Sequence, residues 1–127
     1  MQTVYLCLII SGVMPILCAA TAKWGFKDFD NSDPRSWLSK QTGFRARANA
    51  AQANSFEAFP FFAVGVFCAL NAHVDLQKLS AACVGFVLAR ALFILFYVID
   101  KPTLRTVAWC AAFFCGLFNF VAAISAS

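Results

Sequence analysis

Apolar and polar positions follow one another along this chain in long blocks, with no two-residue alternation. Residues 1–22 carry no charged side chain. At a rise of 1.5 Å per residue, such a block reaches across about 30 Å of hydrocarbon. It predicts a membrane span over about 4–22, kinked near its middle by Pro15. A cleaved signal peptide fits less well, since no Lys or Arg precedes the apolar stretch. Residues 23–44 are polar and turn-rich, with Asp30, Asn31, Ser32, Asp33 and Pro34 at their centre and Gly43 near their end, and read as an exposed loop. A basic, alanine-rich helical start from Arg45 then runs straight into a second span, about 54–72. After a short connection over 73–78, residues 79–99 form a third span interrupted by one charge, Arg90. Residues 100–105 read as a tight turn, because Pro102 biases Lys101 away from helix, and the uncharged remainder supplies a fourth span, about 106–125. The expectation is an all-α, integral-membrane four-helix bundle, a single domain over 1–127 with both termini on one side of the bilayer.

Composition removes the soluble alternative. Of the 127 residues, 61% are hydrophobic and 13% charged, and the mean hydropathy is +0.73, outside the range of ordinary soluble domains. The net charge of +4 is not gathered into a basic domain with interleaved aromatics, so no nucleic-acid partner is expected. It reads instead as topology. Lys23, Lys27, Arg35, Lys40, Arg45, Arg47, Lys101 and Arg105 fall at one end of the spans, whereas the other end has Lys78. Positive-inside places the first group in the cytoplasm, the loop 23–44 with it, and both termini on the non-cytoplasmic side. Trp24, Phe26, Phe29 and Trp37 sit among the loop charges as interfacial anchors do. Six cysteines would be a disulfide framework in a small secreted domain, but all six lie within apolar runs without metal-ligand spacing, and are expected to be reduced packing residues.

The candidate chemistry lies where polar groups enter the apolar blocks. At about 100° per residue, Arg47, Asn54 and Glu57 share one helical face, continued by Pro60 and Phe61. A carboxylate there costs a few kcal/mol on insertion scales, so Glu57 should face protein or water and have a partner. Glu57 lies ten residues in from Arg47, and Arg90 ten residues in from Asp100, each roughly 15 Å from the same end. Tyr97 shares the face of Arg90. The bland reading is a structural Glu57–Arg90 ion pair, with Arg47 and Arg105 snorkelling to lipid headgroups. The sharper reading is a pocket for a small ligand that bears carboxylates and an ammonium group, since guanidinium pairs with carboxylate and a carboxylate holds an ammonium.

Asn54-x-x-Glu57-x-x-Pro60 after arginines, together with Arg90, Tyr97, Pro102 and the run from Arg105 and Thr106 to Trp109, resembles the MAPEG family, the membrane-associated proteins of eicosanoid and glutathione metabolism. The resemblance spans nearly the whole chain, but its specific part is confined to residues 47–60 and 90–109. It implies a homotrimer with glutathione as co-substrate between neighbouring subunits, bound by Arg47, Asn54, Glu57, Arg90 and Tyr97. It further implies that Arg105 and Thr106, at the opening of the fourth helix, form the catalytic pair beside the thiol, where a fixed guanidinium favours thiolate. No metal is implied. Ala50 stands where eicosanoid-synthesising members have an arginine, Ala58 where some have a tyrosine and Trp109 where certain members have a phenol, so the lipophilic substrate does not carry over. The function expected is a transferase or peroxidase acting on a lipophilic electrophile or lipid hydroperoxide. Its alternative is a non-catalytic lipid-binding or scaffold protein of the same fold; a small transporter is disfavoured by the lack of inverted repeats. On the fourth helix, Arg105, Trp109, Ala112, Gly116 and Asn119 form a stripe compatible with subunit contacts or with packing inside the monomer, Asn119 being expected as interhelical glue.

Overall fold

A computed structural model describes residues 1–25 and 28–127; Phe26 and Lys27, counted above among the interfacial aromatics and the loop cations, lie outside the described residues. The described chain is helical, with α1 over Gln2–Lys23, α2 over Pro34–Ser39, α3 over Gly43–Asn71, α4 over Leu76–Val98 and α5 over Pro102–Ala126. The four long helices are each long and apolar enough to cross a membrane. They pack as a bundle in which α3 and α4 touch each other and α1 and α5 each pack against both. The outward positions are apolar as well: Leu17, Phe67, Phe114 and Ile124 are all exposed, as lipid-facing side chains are.

Helix boundaries follow local chemistry. Asp33 caps α2 by accepting a 3.2 Å hydrogen bond from the Ser36 amide, and Pro34 occupies the first turn, where no N–H is needed. This short helix stands where the sequence reading placed only loop, and the Asp-Pro pair was its signal. Gly43 opens α3 at φ +61°, a left-handed conformation that glycine alone adopts without strain. At 29 residues, α3 is about 43 Å long, so its first turns extend beyond the hydrocarbon and carry Arg45 and Arg47 there. Arg45 donates to the Trp24 carbonyl at 2.9 Å and lies against Phe44 and Trp37, tying the long loop to the base of α3.

The two tight turns share one device. At the end of α3, His73 at φ 54° lets the Val74 amide reach back to the Ala69 carbonyl and the His73 amide to that of Leu70; at the end of α4, Asp100 at φ 61° does the same for the Lys101 and Asp100 amides with Phe96 and Tyr97. Each is a Schellman cap, which satisfies terminal carbonyls with no spare chain. Pro102 then starts α5 at once, so α5 begins four residues before the predicted fourth span and Arg105 and Thr106 stand inside its first turns.

Between lipid-immersed helices apolar burial gives little drive, so close packing must hold the bundle. Phe62 and Phe86 stack with centroids 3.9 Å apart across α3 and α4. Across α3 and α5, Phe61 stacks on Phe113, and two glycines permit the approach: a Cβ on Gly65 would meet the Phe120 ring at 2.9 Å, and one on Gly116 the Phe61 ring at 3.2 Å. Ala112, Gly116 and Asn119 are thus buried inside the subunit; that part of the stripe serves the monomer. Asn119 is wholly buried and neither amide atom has a hydrogen-bond partner among the described residues, so the expected interhelical bond is not formed. Both α1 and α3 continue as helix through Pro15 and Pro60. Among the described residues the six cysteines are free thiols, and Cys7, Cys18 and Cys83 are buried in the packing.

Candidate functional site

Helix α3 supplies three of the polar side chains, and its register decides their roles. Asn54 and Glu57 stand one turn apart on the face turned toward α4 and α5, whereas Ser55, one residue on from Asn54, is buried and donates back to the Ala51 carbonyl at 2.8 Å. Opposite them α4 presents Arg90, Phe93 and Tyr97, spaced so that all three lie along one face. Arg90 is only 2% exposed. Its Nη1 donates to Asn54 Oδ1 at 2.8 Å and its Nη2 to Ser55 Oγ at 3.0 Å, while the guanidinium carbon lies 4.2 Å from the centre of the Phe93 ring.

Two cavities adjoin this cluster. The inner one, about 170 Å³, is walled by Asn54, Glu57 and Arg90 on its polar side and by Phe61, Phe86 and Phe113 on its apolar side. The outer one, about 240 Å³, is lined by Tyr97, Arg105 and Thr106 with Phe93. Asn54 and Trp109 border both, so the two form successive parts of one cleft among α3, α4 and α5. The cleft opens on the outside of the bundle: Glu57 and Trp109 are exposed.

Aromatic contacts connect the two parts. Phe93 meets Tyr97 edge-on with centroids 5.4 Å apart, and the Arg105 guanidinium lies 4.4 Å over the Tyr97 ring. A cation on an aromatic face is held in place without neutralisation of its charge, so Arg105 remains a full positive charge bordering the cavity. Thr106 Oγ1 donates to the Pro102 carbonyl at 3.1 Å, which leaves the hydroxyl's acceptor side free and means that donation to a ligand takes a rotation of the hydroxyl off that carbonyl.

The structure gathers Asn54, Glu57, Arg90, Tyr97, Arg105 and Thr106 around the cleft, and sets Arg47 apart. Arg47 Nε donates to the Val98 carbonyl at 3.0 Å and its Nη1 approaches Asp100 at 3.8 Å, so this side chain spans α3 and the last turn of α4 at the basic end of the bundle. Glu57 and Arg90 wall the same inner cavity, in keeping with their equal spacing from the helix ends, yet the hydrogen bonds of Arg90 go to Asn54 and Ser55. The sequence reading missed Ser55 and Phe93. Phe93 was recoverable, being one turn beyond Arg90, but Ser55 carried no signal, since which hydroxyl a guanidinium meets depends on how two helices are rotated against each other.

A three-helix cleft that is polar at membrane depth, with one wall aromatic and one end basic, suits a ligand with charged groups beside an apolar one. Among known proteins, a model of the MAPEG family matches residues 3–125. Neither a curated protein nor a solved structure matches the chain.

Proposed function

The chain belongs to the MAPEG family, and we propose that it is a glutathione-dependent transferase or peroxidase that acts on a lipophilic electrophile or lipid hydroperoxide. It is an integral, multi-pass membrane protein. The observation that carries the proposal is the exposed Glu57, roughly 15 Å along its helix from Arg47, beside Asn54 in a cleft whose other end holds Arg105. A carboxylate on the outer face of a membrane bundle requires a polar cover. A charged ligand held between this face and a second subunit supplies one, which supports an oligomer, in keeping with the homotrimer typical of the family.

The roles follow from charge and position. Glu57 takes the ammonium group of glutathione, Asn54 and Tyr97 hydrogen-bond its backbone, and Arg47 at the basic end attracts a carboxylate. Arg105, fixed over Tyr97, stands beside the sulfur. A thiol with an ordinary pKa of about 8.5 is mostly protonated at neutral pH, and an adjacent guanidinium raises the thiolate fraction; Thr106 adds a hydrogen bond to sulfur after its rotation. The thiol proton leaves to water at the basic end. In conjugation the thiolate lone pair forms a carbon–sulfur bond as the leaving group departs with its bonding pair. In peroxide reduction the thiolate attacks the O–O bond and releases an alcohol, and a second glutathione converts the resulting sulfenic acid to disulfide and water. The aromatic wall of Phe61, Phe113 and Trp109 faces the lipid side, from which an apolar substrate enters. Bringing reagents from two phases together supplies much of the acceleration.

The test is calorimetric titration of glutathione into detergent-solubilised protein, followed by turnover of a chromogenic electrophile. Saturable binding with turnover is expected. Binding without turnover selects the non-catalytic lipid-binding or scaffold role, and absence of binding rejects the proposal.

A further inference from the structure

Arg90 is a buried cation with no carboxylate on it among the described residues. Its hydrogen bonds go to two neutral oxygens, Asn54 Oδ1 and Ser55 Oγ, and one face of the guanidinium is covered by Phe93. Only 2% of its surface is exposed, and although it borders the inner cavity, one N–H of each terminal nitrogen is already committed to these oxygens. A leucine or methionine would pack the same space without desolvating a charge, so the arginine must do something that an apolar side chain does not.

What it does is visible at Asn54. A primary amide presents an acceptor on one side and two donors on the other, and by itself can turn either toward a ligand. Arginine has donors alone, so the Asn54 atom 2.8 Å from Arg90 has to be the oxygen. The Nδ2 amino group is thereby turned away from Arg90, and Asn54 borders both parts of the cleft. Ser55 braces the arrangement from the other side, because its proton is spent on the Ala51 carbonyl and its lone pairs face Arg90.

From this geometry we infer that Arg90 is a positioning residue and not a ligand: it locks the Asn54 amide with its donors toward the cleft, so that this position selects a carbonyl or carboxylate oxygen of the bound thiol peptide and rejects an amine. The inference rests on the glutathione reading and assigns one of its residues a different job. Selection by polarity is thereby divided within one helical turn of α3, with Asn54 a committed donor and Glu57 a committed acceptor. A ligand presenting oxygen to the first and ammonium to the second binds in one orientation.

A double-mutant cycle tests it. Glutathione is titrated calorimetrically into the full-length protein in detergent and into Arg90→Gln, Asn54→Ala and the double variant, with helix content and unliganded melting temperature recorded for each. If Arg90 acts through Asn54, each single change weakens binding roughly tenfold and the double variant binds no worse than Asn54→Ala alone. If Arg90 touches the ligand, the two losses multiply, to roughly a hundredfold, and the inference is overturned. Asn54→Asp keeps the test decisive should Arg90→Gln fail to assemble. Its carboxylate pairs with Arg90, so the unliganded variant should melt at or above the wild-type temperature, yet it offers no N–H and should bind as weakly as Asn54→Ala. Wild-type affinity in Asn54→Asp overturns the inference. Absence of glutathione binding by the wild type overturns the functional reading itself and this assignment with it, a result distinct from multiplied losses in a protein that binds.

Discussion

The Arg105 guanidinium lies 4.4 Å over the Tyr97 ring, bridging the first turns of α5 to the last turns of α4. The contact fixes a charge at the edge of the outer cavity and leaves that charge unpaired by any carboxylate among the described residues. Arg105→Ala should therefore leave glutathione bound while removing most of the thiolate absorbance in the ultraviolet and lowering turnover by about a hundredfold. Arg105→Lys should fall between, because lysine keeps the charge and loses the planar group that stacks. Tyr97→Phe should retain most of the effect, since the ring face remains. Wild-type turnover in the alanine variant would make Arg105 a headgroup anchor.

Glu57 lines the inner part of the cleft, and the hydrogen bonds of Arg90 are made to Asn54 and Ser55. Glu57→Gln is thus expected to assemble and melt normally without ligand but to bind glutathione about 10- to 150-fold more weakly, the equivalent of about 1.5–3 kcal/mol for a charged hydrogen bond. Loss of unliganded stability at unchanged affinity would mean that Glu57 is structural.

Gly65 is the position where α3 and α5 tolerate least. A side chain there meets the Phe120 ring at 2.9 Å and the Gly116 carbonyl at 3.2 Å, and backbone cannot swing aside. Gly65→Leu should destabilise the detergent-solubilised protein by about 1–3 kcal/mol or more, read as a lowered midpoint of denaturant unfolding. Gly25, beside which a Cβ meets nothing within 4 Å, is the contrasting site; at its φ of +64° alanine costs backbone strain alone.

Asp33 is exposed, and hydrogen bonds from the Ser36 side chain and amide hold its carboxyl below the usual carboxylate range. Because the folded value is the lower one, the cap supports α2 above the ordinary carboxylate pKa and is lost as pH falls through the depressed one. Carboxyl resonances followed by NMR titration should show Asp33 titrating below a free aspartate, with the Ser36 amide shift moving in step. Asp33→Asn should remove the pH dependence of α2 while retaining an acceptor at the cap.

Topology is tested by impermeant thiol reagents on a variant lacking native cysteines. A cysteine at position 32 should label from the cytoplasmic side and one added after Ser127 from the opposite side, following the excess of cations around the long loop and the Asp100 turn. Labelling of both from one side would contradict an even number of spans.

The four spans, the two short turns and the equal spacing of Glu57 and Arg90 from the helix ends were legible in the sequence because they depend on local quantities: block length, helical rise and the few residues that stop a helix. The resemblance in residues 47–60 and 90–109 likewise pointed to the family and to most of the cleft. Helix α2 was overlooked, although its Asp-Pro signal is local too. Other outcomes needed the tertiary structure. Whether Arg90 would meet Glu57 or Asn54 and Ser55 depends on the rotation of α4 about its axis against α3, and equal spacing says nothing of rotation. Ala112 and Gly116 turn inward because Phe61 and Phe120 of the neighbouring helices need the space beside Gly116 and Gly65, a fit of shapes that no single helix encodes. Arg47 is tied to Val98 and Asp100 at the basic end of the bundle, since a long side chain at the end of a helix bonds to whichever carbonyl the adjacent turn leaves within reach.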